Sequence, residues 1–174
     1  MKLTRPFIKP EKLNSGMTLI EILVVVAILS IMVGVAGISI SLLSSRDAES
    51  CAKDINTTLE AARMRTLSQE GNHNFVMDTA NGECEITPDG DGEDVPSRVT
   101  VSFSSEGTYD LSAHTVIEVA FDKSTGRVSR VTADSVPIDI NNVNLIRIHA
   151  VSDNGKRATV MLVTATGKHY VEYG

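Results

Sequence analysis

The strongest constraint on this chain is a run without formal charge from Ile22 to Ser45, made mostly of Leu, Ile, Val, Ala and Met, with one acid, Glu21, at its edge. About 20 apolar residues at roughly 1.5 Å each match the hydrocarbon thickness of a bilayer, so the run is long enough to span one as a helix. A carboxylate in such a segment is costly in lipid, by about 2.5–3.5 kcal/mol at the helix centre and less near the interface. Glu21 therefore needs a partner. An ordinary secretory signal has an apolar core of about 7–15 residues with a small-residue cut site after it, whereas here the core is longer and the small residue, Gly16, comes first. A plain single-pass anchor accounts for the length but leaves Glu21 without a reason.

Charge divides the chain in the same place. The first sixteen residues hold Lys2, Arg5, Lys9 and Lys12 against Glu11, a net of +3, and the rest of the 174 residues nets −9. Positive charge before a membrane helix marks the cytoplasmic side, so the acidic remainder faces outward. The leader contains Pro6 and Pro10 and has no apolar periodicity, which makes it a processing segment. The expected organisation is a cleaved leader at 1–16, a transmembrane and assembly helix at 17–45, an amphipathic continuation at 46–71 and a β-rich domain at 72–174. This length suits one domain plus an anchor.

The junction Gly16-Met17-Thr18-Leu19-Ile20-Glu21 resembles the type IV prepilin signature. That resemblance implies a prepilin peptidase cutting between Gly16 and Met17, N-methylation of Met17, and Glu21 as the glutamate at the fifth mature position. It also implies other pilins or pseudopilins in a helical filament, an inner-membrane assembly platform and membrane lipid as partners. The expected location is the bacterial inner membrane, then a pilus or pseudopilus. Physics gives Glu21 a role in such a filament: the new Met17 ammonium of one helix and the carboxylate of its neighbour attract strongly in a low dielectric. A head-to-tail contact of that kind propagates instead of closing. The alternative is that Glu21 pairs with the amine of its own chain.

Beyond the apolar run the helix is expected to continue to about Gln69, with Ile55, Leu59 and Ala62 at i, i+4 and i+7 and with Ala48, Cys51 and Ala52 extending the stripe upstream. From Met17 it would be roughly 80 Å long. Glycines 34 and 37 are places for it to bend or melt, since glycine costs about 1 kcal/mol in a helix relative to alanine. Gly71-Asn72 stops it. Strands are then expected at 74–78 and 83–87 around the Asn81-Gly82 turn, and at 98–103, 115–121, 127–132, 145–151, 158–164 and 168–173. The fold class is α+β: a long N-terminal helix packed on antiparallel sheets in a pilin-like β-sandwich. Phe121-Asp122, Gly126-Arg127-Val128, Ile146-Arg147-Ile148 and Gly167-Lys168 together resemble the GspH/FimT group of minor pilins and type II secretion pseudopilins.

Four further features bear on function. Cys51 and Cys84 are expected to pair as a disulfide in an oxidising compartment, the alternative being two unpaired thiols. Asp89, Asp91, Glu93 and Asp94 form a glycine-bearing acidic loop, read either as a solvated loop or as a Ca²⁺ candidate that lacks the full EF-hand spacing. Neither metal-ligand spacing at the four histidines nor a nucleophile elbow is present, so the expectation is no enzyme and no cofactor. Some FimT-like pilins bind DNA through a Gly-Arg-x-Arg motif, and here the matching place reads Gly167-Lys168-His169-Tyr170. Arg147, Lys156, Arg157 and Lys168 are the candidate DNA contacts, against an acidic domain that disfavours nucleic acid. The two alternatives to a structural filament subunit are thus a DNA-uptake minor pilin and a membrane-anchored β-domain with no filament role.

Overall fold

A computed structural model describes residues 18–174, leaving out the side chains of 35–45. Helix α1 (Leu19–Ser68) leads into ten strands, and the chain divides into two compact units, Met1–Ser39 and Ile40–Gly174. In the first unit every described side chain from Thr18 to Gly34 is exposed. Among the described residues no helix is long and apolar enough to cross a membrane. The span expected over 17–45 falls partly outside them. Helix α1 includes Gly34 and Gly37 without interruption.

In the second unit the helical stripe expected from periodicity is buried: Ala48, Cys51, Ala52, Ile55, Leu59 and Ala62 are all at most 2% exposed. All of them except Ala48 share one core with the inner faces of two sheets. The first sheet has the order β3-β2-β1-β5-β6-β7, where β1 is Asn74–Asp78, β2 Glu83–Thr87, β3 Asp91–Asp94, β5 Val116–Phe121, β6 Val128–Ala133 and β7 Val136–Ile138. The second has the order β10-β9-β8-β4, with β4 Val99–Gly107, β8 Val143–Ser152, β9 Arg157–Val163 and β10 Lys168–Tyr173. Every pairing is antiparallel. Alternation makes the layers: in β1 Phe75 and Met77 are buried and their neighbours are not, and in β8 Ile146, Ile148 and Ala150 face in while Arg147 and His149 face out. Every buried apolar side chain among the described residues lies between Ala48 and Leu162, so residues 46–174 carry all of the core that the described side chains form.

Polar ties fix the end of the helix on the sheets. The Thr66 hydroxyl donates to the Ala62 and His73 carbonyls at 2.9 and 3.0 Å, joining the last turns of α1 to the start of β1. Arg63 Nε donates to the Gly126 carbonyl at 3.0 Å in the β5–β6 turn. His169 Nε2 on β10 lies 2.9 Å from Glu60. These contacts reach both sheets, which sets the helix on the common core.

Eight expected strands are present, and the first two and the last have their expected limits. Two more were not expected. The segment expected as a wet acidic loop is in part a strand, β3, paired residue for residue with β2. Strand β7 is three residues long and contains Pro137, tolerated because it is the edge of its sheet. A 3-10 turn, Ile140–Asn142, with Asp139 as its cap, joins β7 to β8.

Candidate processing, assembly and surface sites

Gly16 and Met17 lie outside the described residues. Immediately after them Thr18 caps α1: the Glu21 N–H donates to the Thr18 carbonyl at 3.0 Å and meets its hydroxyl oxygen at 3.3 Å, while the Ile22 N–H donates to the same carbonyl at 3.2 Å. Thr18-x-x-Glu21 has the spacing of a capping box, in which the first side chain serves an orphan N–H and the acid sits in the first turn at the positive end of the helix dipole. Glu21 thus has a local role besides any pairing with an amine. The threonine was missed in reading the sequence, although threonine followed three positions later by glutamate is the signal that reveals it. Among the described residues Glu21 makes no ion pair.

Cys51 and Cys84, expected to pair, are both buried and both free in this structure. They share one core, Cys51 on α1 and Cys84 on β2. The Cys84 sulfur is hydrogen-bonded to the Thr58 hydroxyl. Burial, then the nearby Asp54 charge, pushes the Cys51 thiol up to about 11. Cys84 is pushed up to about 12, again mainly by burial, with the Thr58 hydrogen bond working against the shift.

The four acids of the calcium candidate are not drawn together. Asp89 receives Arg65 Nη1 at 2.8 Å and His73 Nδ1 at 2.8 Å, and Asp91 takes Arg65 Nη2 at 2.7 Å. The Arg65 hydrogen bond, more than any other influence, holds the Asp89 carboxyl below its usual range. Extended backbone then sends Asp91 and Glu93 to one face of β3 and Asp94 to the other. Among the described residues no group of three or more His, Cys, Asp or Glu is placed to hold a metal ion. The arginine, which sequence reading did not connect to the loop, uses these carboxylates to pin the end of α1 to the β2–β3 hairpin.

The DNA candidates divide. Strand register puts Arg147, Arg157 and Lys168 on the outer face of the four-stranded sheet, while Lys156 precedes β9 in the turn from β8. Arg147 is ion-paired with Glu106. Between the two arginines His149 bridges Ser104 Oγ, 2.7 Å from Nε2, and Thr159 Oγ1, 3.0 Å from Nδ1. Arg147, His149, Arg157 and Thr159 line a groove of about 280 Å³.

Residues 12–37 match the family model described as the prokaryotic N-terminal methylation motif. A search of curated proteins and one of solved structures returned no match. The matched segment contains Gly16, Met17, Thr18 and Glu21 and passes into the first turns of α1. The chain therefore carries at its N-terminus the processing and methylation signal of type IV pilin-like proteins.

Proposed function

We propose that this chain is a minor pilin or pseudopilin of the GspH/FimT kind, a structural subunit of a type IV pilus or type II secretion filament. Prepilin peptidase trims it after Gly16, Met17 is N-methylated, and residues 17–45 hold it in the inner membrane beside the assembly platform until it joins other pilins. The domain 46–174 then lies outside the cytoplasm. The observation that carries this reading is the methylation motif at 12–37, in which a requirement of the cut, a glycine just before it, is met at Gly16. A helix that leaves that motif and ends as one wall of a β-rich core supports it, because one element then joins assembly segment to displayed domain.

The reading makes the domain a shape to be displayed and not a catalyst. DNA uptake is the second reading, favoured by the register that gathers Arg147, Arg157 and Lys168 on one face and opposed by the −9 balance of the mature chain. Substitution Gly16→Ala tests the first reading directly. In cells with an active prepilin peptidase, the wild-type chain should give a mature N-terminus at Met17 by mass spectrometry and the variant should retain its leader. A mature Met17 end in the variant, or an uncut wild-type chain, refutes the processing model.

A further inference from the structure

The two sheets meet along a seam, and a cleft beside it takes no part in the filament reading. Val128, the first residue of β6, donates its N–H to the Thr164 carbonyl at 3.3 Å, which joins the six-stranded sheet to the four-stranded one. Thr164, just past β9, donates its own N–H to the Asn144 carbonyl at 3.2 Å and its hydroxyl to the Val143 carbonyl at 2.6 Å. The Asn142 N–H reaches the Asp139 carbonyl at 2.9 Å and closes the 3-10 turn that leads into β8. Three stretches of backbone, 127–128, 140–144 and 164–165, are thereby fixed around a cleft of about 300 Å³. That volume is at the lower end for small-molecule sites, and walls set by main-chain bonds are formed before any ligand arrives.

The lining divides by chemistry. Val128, Ile140 and Ala165 supply apolar surface, and Arg127, Asn141 and Asn144 supply polar side chains. Arg127 is the one charged residue among those that line the cleft, and no carboxylate side chain is with it. Two other clefts that contain arginine also contain acids: Glu172 beside Arg147 and Arg157, and Asp91 and Glu93 beside Arg65. Arg127 makes no ion pair among the described residues. Arg127 and Asn144 bond to the rest of the domain through main-chain atoms, which leaves guanidinium and carboxamide uncommitted among the described residues. The acids nearest along the chain are already occupied. Asp122 accepts the N–H and hydroxyl groups of Ser124 and Thr125, and Asp139 accepts the Asn141 N–H and Nδ2. The negative balance of the whole chain repels anions at long range, but at physiological ionic strength charges beyond about 8 Å are largely screened, so the local lining decides.

We propose that this cleft binds a small organic carboxylate, with the acid group on Arg127 and Asn144 and the hydrocarbon body against Val128 and Ile140. A planar guanidinium fork matches the two oxygens of a carboxylate, and a carboxamide N–H adds a further donor to them. Apolar walls select an acid that carries a hydrocarbon over a bare inorganic oxyanion, which has nothing to lay on them. The site gives the globular domain a ligand of its own. It goes beyond the filament reading and rests on no residue of the N-terminal signal.

The test titrates the full chain, in neutral detergent at about 0.15 M salt, with isocaproate, its uncharged amide, acetate and inorganic phosphate, and follows backbone amide chemical shifts. Isocaproate should move the amides of Val128, Asn144 and Thr164 along one saturating curve, with a Kd of about 1 mM or tighter. Acetate, phosphate and the uncharged amide should each bind at least about tenfold more weakly. Arg127→Ala, and separately Asn144→Asp, which replaces a donor with a negative charge, should each weaken isocaproate at least about tenfold. Arg127→Lys should fall between wild type and Arg127→Ala, since it keeps the charge and loses the fork. Both side chains are exposed, so the melting temperature of each variant should be unchanged. Absence of saturable shifts at about 10 mM isocaproate overturns the proposal, as does equal binding in Arg127→Ala. Equal binding by the uncharged amide refutes the carboxylate assignment and leaves an apolar cleft. Equal binding by phosphate refutes it as well and leaves an oxyanion site with no preference for a hydrocarbon. An uncut wild-type leader in the processing experiment changes none of these outcomes, so the two readings fail separately.

Discussion

Gly167 gives the sharpest test of how this domain is held together, because its turn is pressed against another turn and a second glycine serves as its control. Gly167 lies between β9 and β10 with φ +67°, and a Cβ built there would stand 2.1 Å from the Gly126 carbonyl oxygen in the β5–β6 turn. Gly155, between β8 and β9, has φ +81° with nothing within 4 Å of such a Cβ. An L side chain in the left-handed region costs about 1–2 kcal/mol, and both alanine variants bear that cost. Only at Gly167 must the two turns also separate, by about 1.3 Å to reach the 3.4 Å of ordinary contact. Forcing packed atoms apart in this way costs about 1–3 kcal/mol. The separation also strains the bond from Arg63 Nε to that same carbonyl, a neutral acceptor bond worth about 1 kcal/mol. Gly167→Ala should therefore cost about 2–5 kcal/mol and Gly155→Ala about 1–2 kcal/mol. For a domain of this size each kcal/mol moves the melting temperature by about 4 °C, so the two variants should differ by roughly 4–12 °C. Urea unfolding of residues 46–174, followed by circular dichroism, reads the difference directly. Equal losses at the two sites would show that the β9–β10 turn does not depend on its approach to Gly126, and would refute the reasoning.

The buried thiols should resist iodoacetamide in the folded domain at pH 8: raised from 9.0 to about 11 and about 12, they hold roughly a hundredfold and a thousandfold less thiolate than in the unfolded chain. Mass spectrometry should find both alkylated only in guanidinium, and a Cys51–Cys84 bridge in a non-reducing peptide map would contradict the free-thiol geometry. Asp134, at φ +46°, is held down to about 2, chiefly by the Val116 N–H and then by His114, so its contribution is present above the ordinary carboxylate range and is lost as the pH falls towards 2. An asparagine at this position would keep the left-handed backbone but not the charge, so Asp134→Asn should lower the urea midpoint at pH 7 and flatten its fall between about pH 5 and 2; parallel pH curves would exclude this role. Glu21→Gln should separate the cap from the charge, since glutamine can serve a capping box but cannot pair with an ammonium. Filament copurification lost in both Glu21→Gln and Glu21→Ala supports the ion pair, whereas loss in Glu21→Ala alone assigns Glu21 to the cap.

The parts of this molecule that are written along the chain were legible in it, and the parts made by pairing distant segments were not. Strands β1, β2 and β10 could be placed to the residue because turn residues bound them and apolar residues alternate within the first two. The Ile55, Leu59 and Ala62 stripe announced the buried helical face for the same reason. Asp91-Gly92-Glu93-Asp94 carries no β-forming residue and no alternation, so nothing local marks β3. It is a strand because β2 offers it a ladder. Separation along the sequence likewise does not say that two cysteines on different elements enter one core, as Cys51 on α1 and Cys84 on β2 do.

The same distinction explains why the signal was readable and the surface was not. A peptidase reads Gly16 and Met17 as an ordered string, and helices in a filament meet through positions counted from a new N-terminus, so any chain using that machinery must spell the signal out in order. Interfaces between folded domains carry no such requirement. Arg147 and Arg157 are ten residues apart and become neighbours of His149 only through the β8–β9 ladder, and Glu83 meets Asp94 only through β2–β3. A one-residue slip in either pairing would turn those charges towards the core. The hydrophobic alternation that fixes the register therefore also fixes the charge pattern of the surface: burying Ile146, Ile148 and Ala150 is what points Arg147 and His149 outward. In this fold the specificity of the outer faces is a consequence of how the inner faces pack, and a substitution that shifted register would erase both at once.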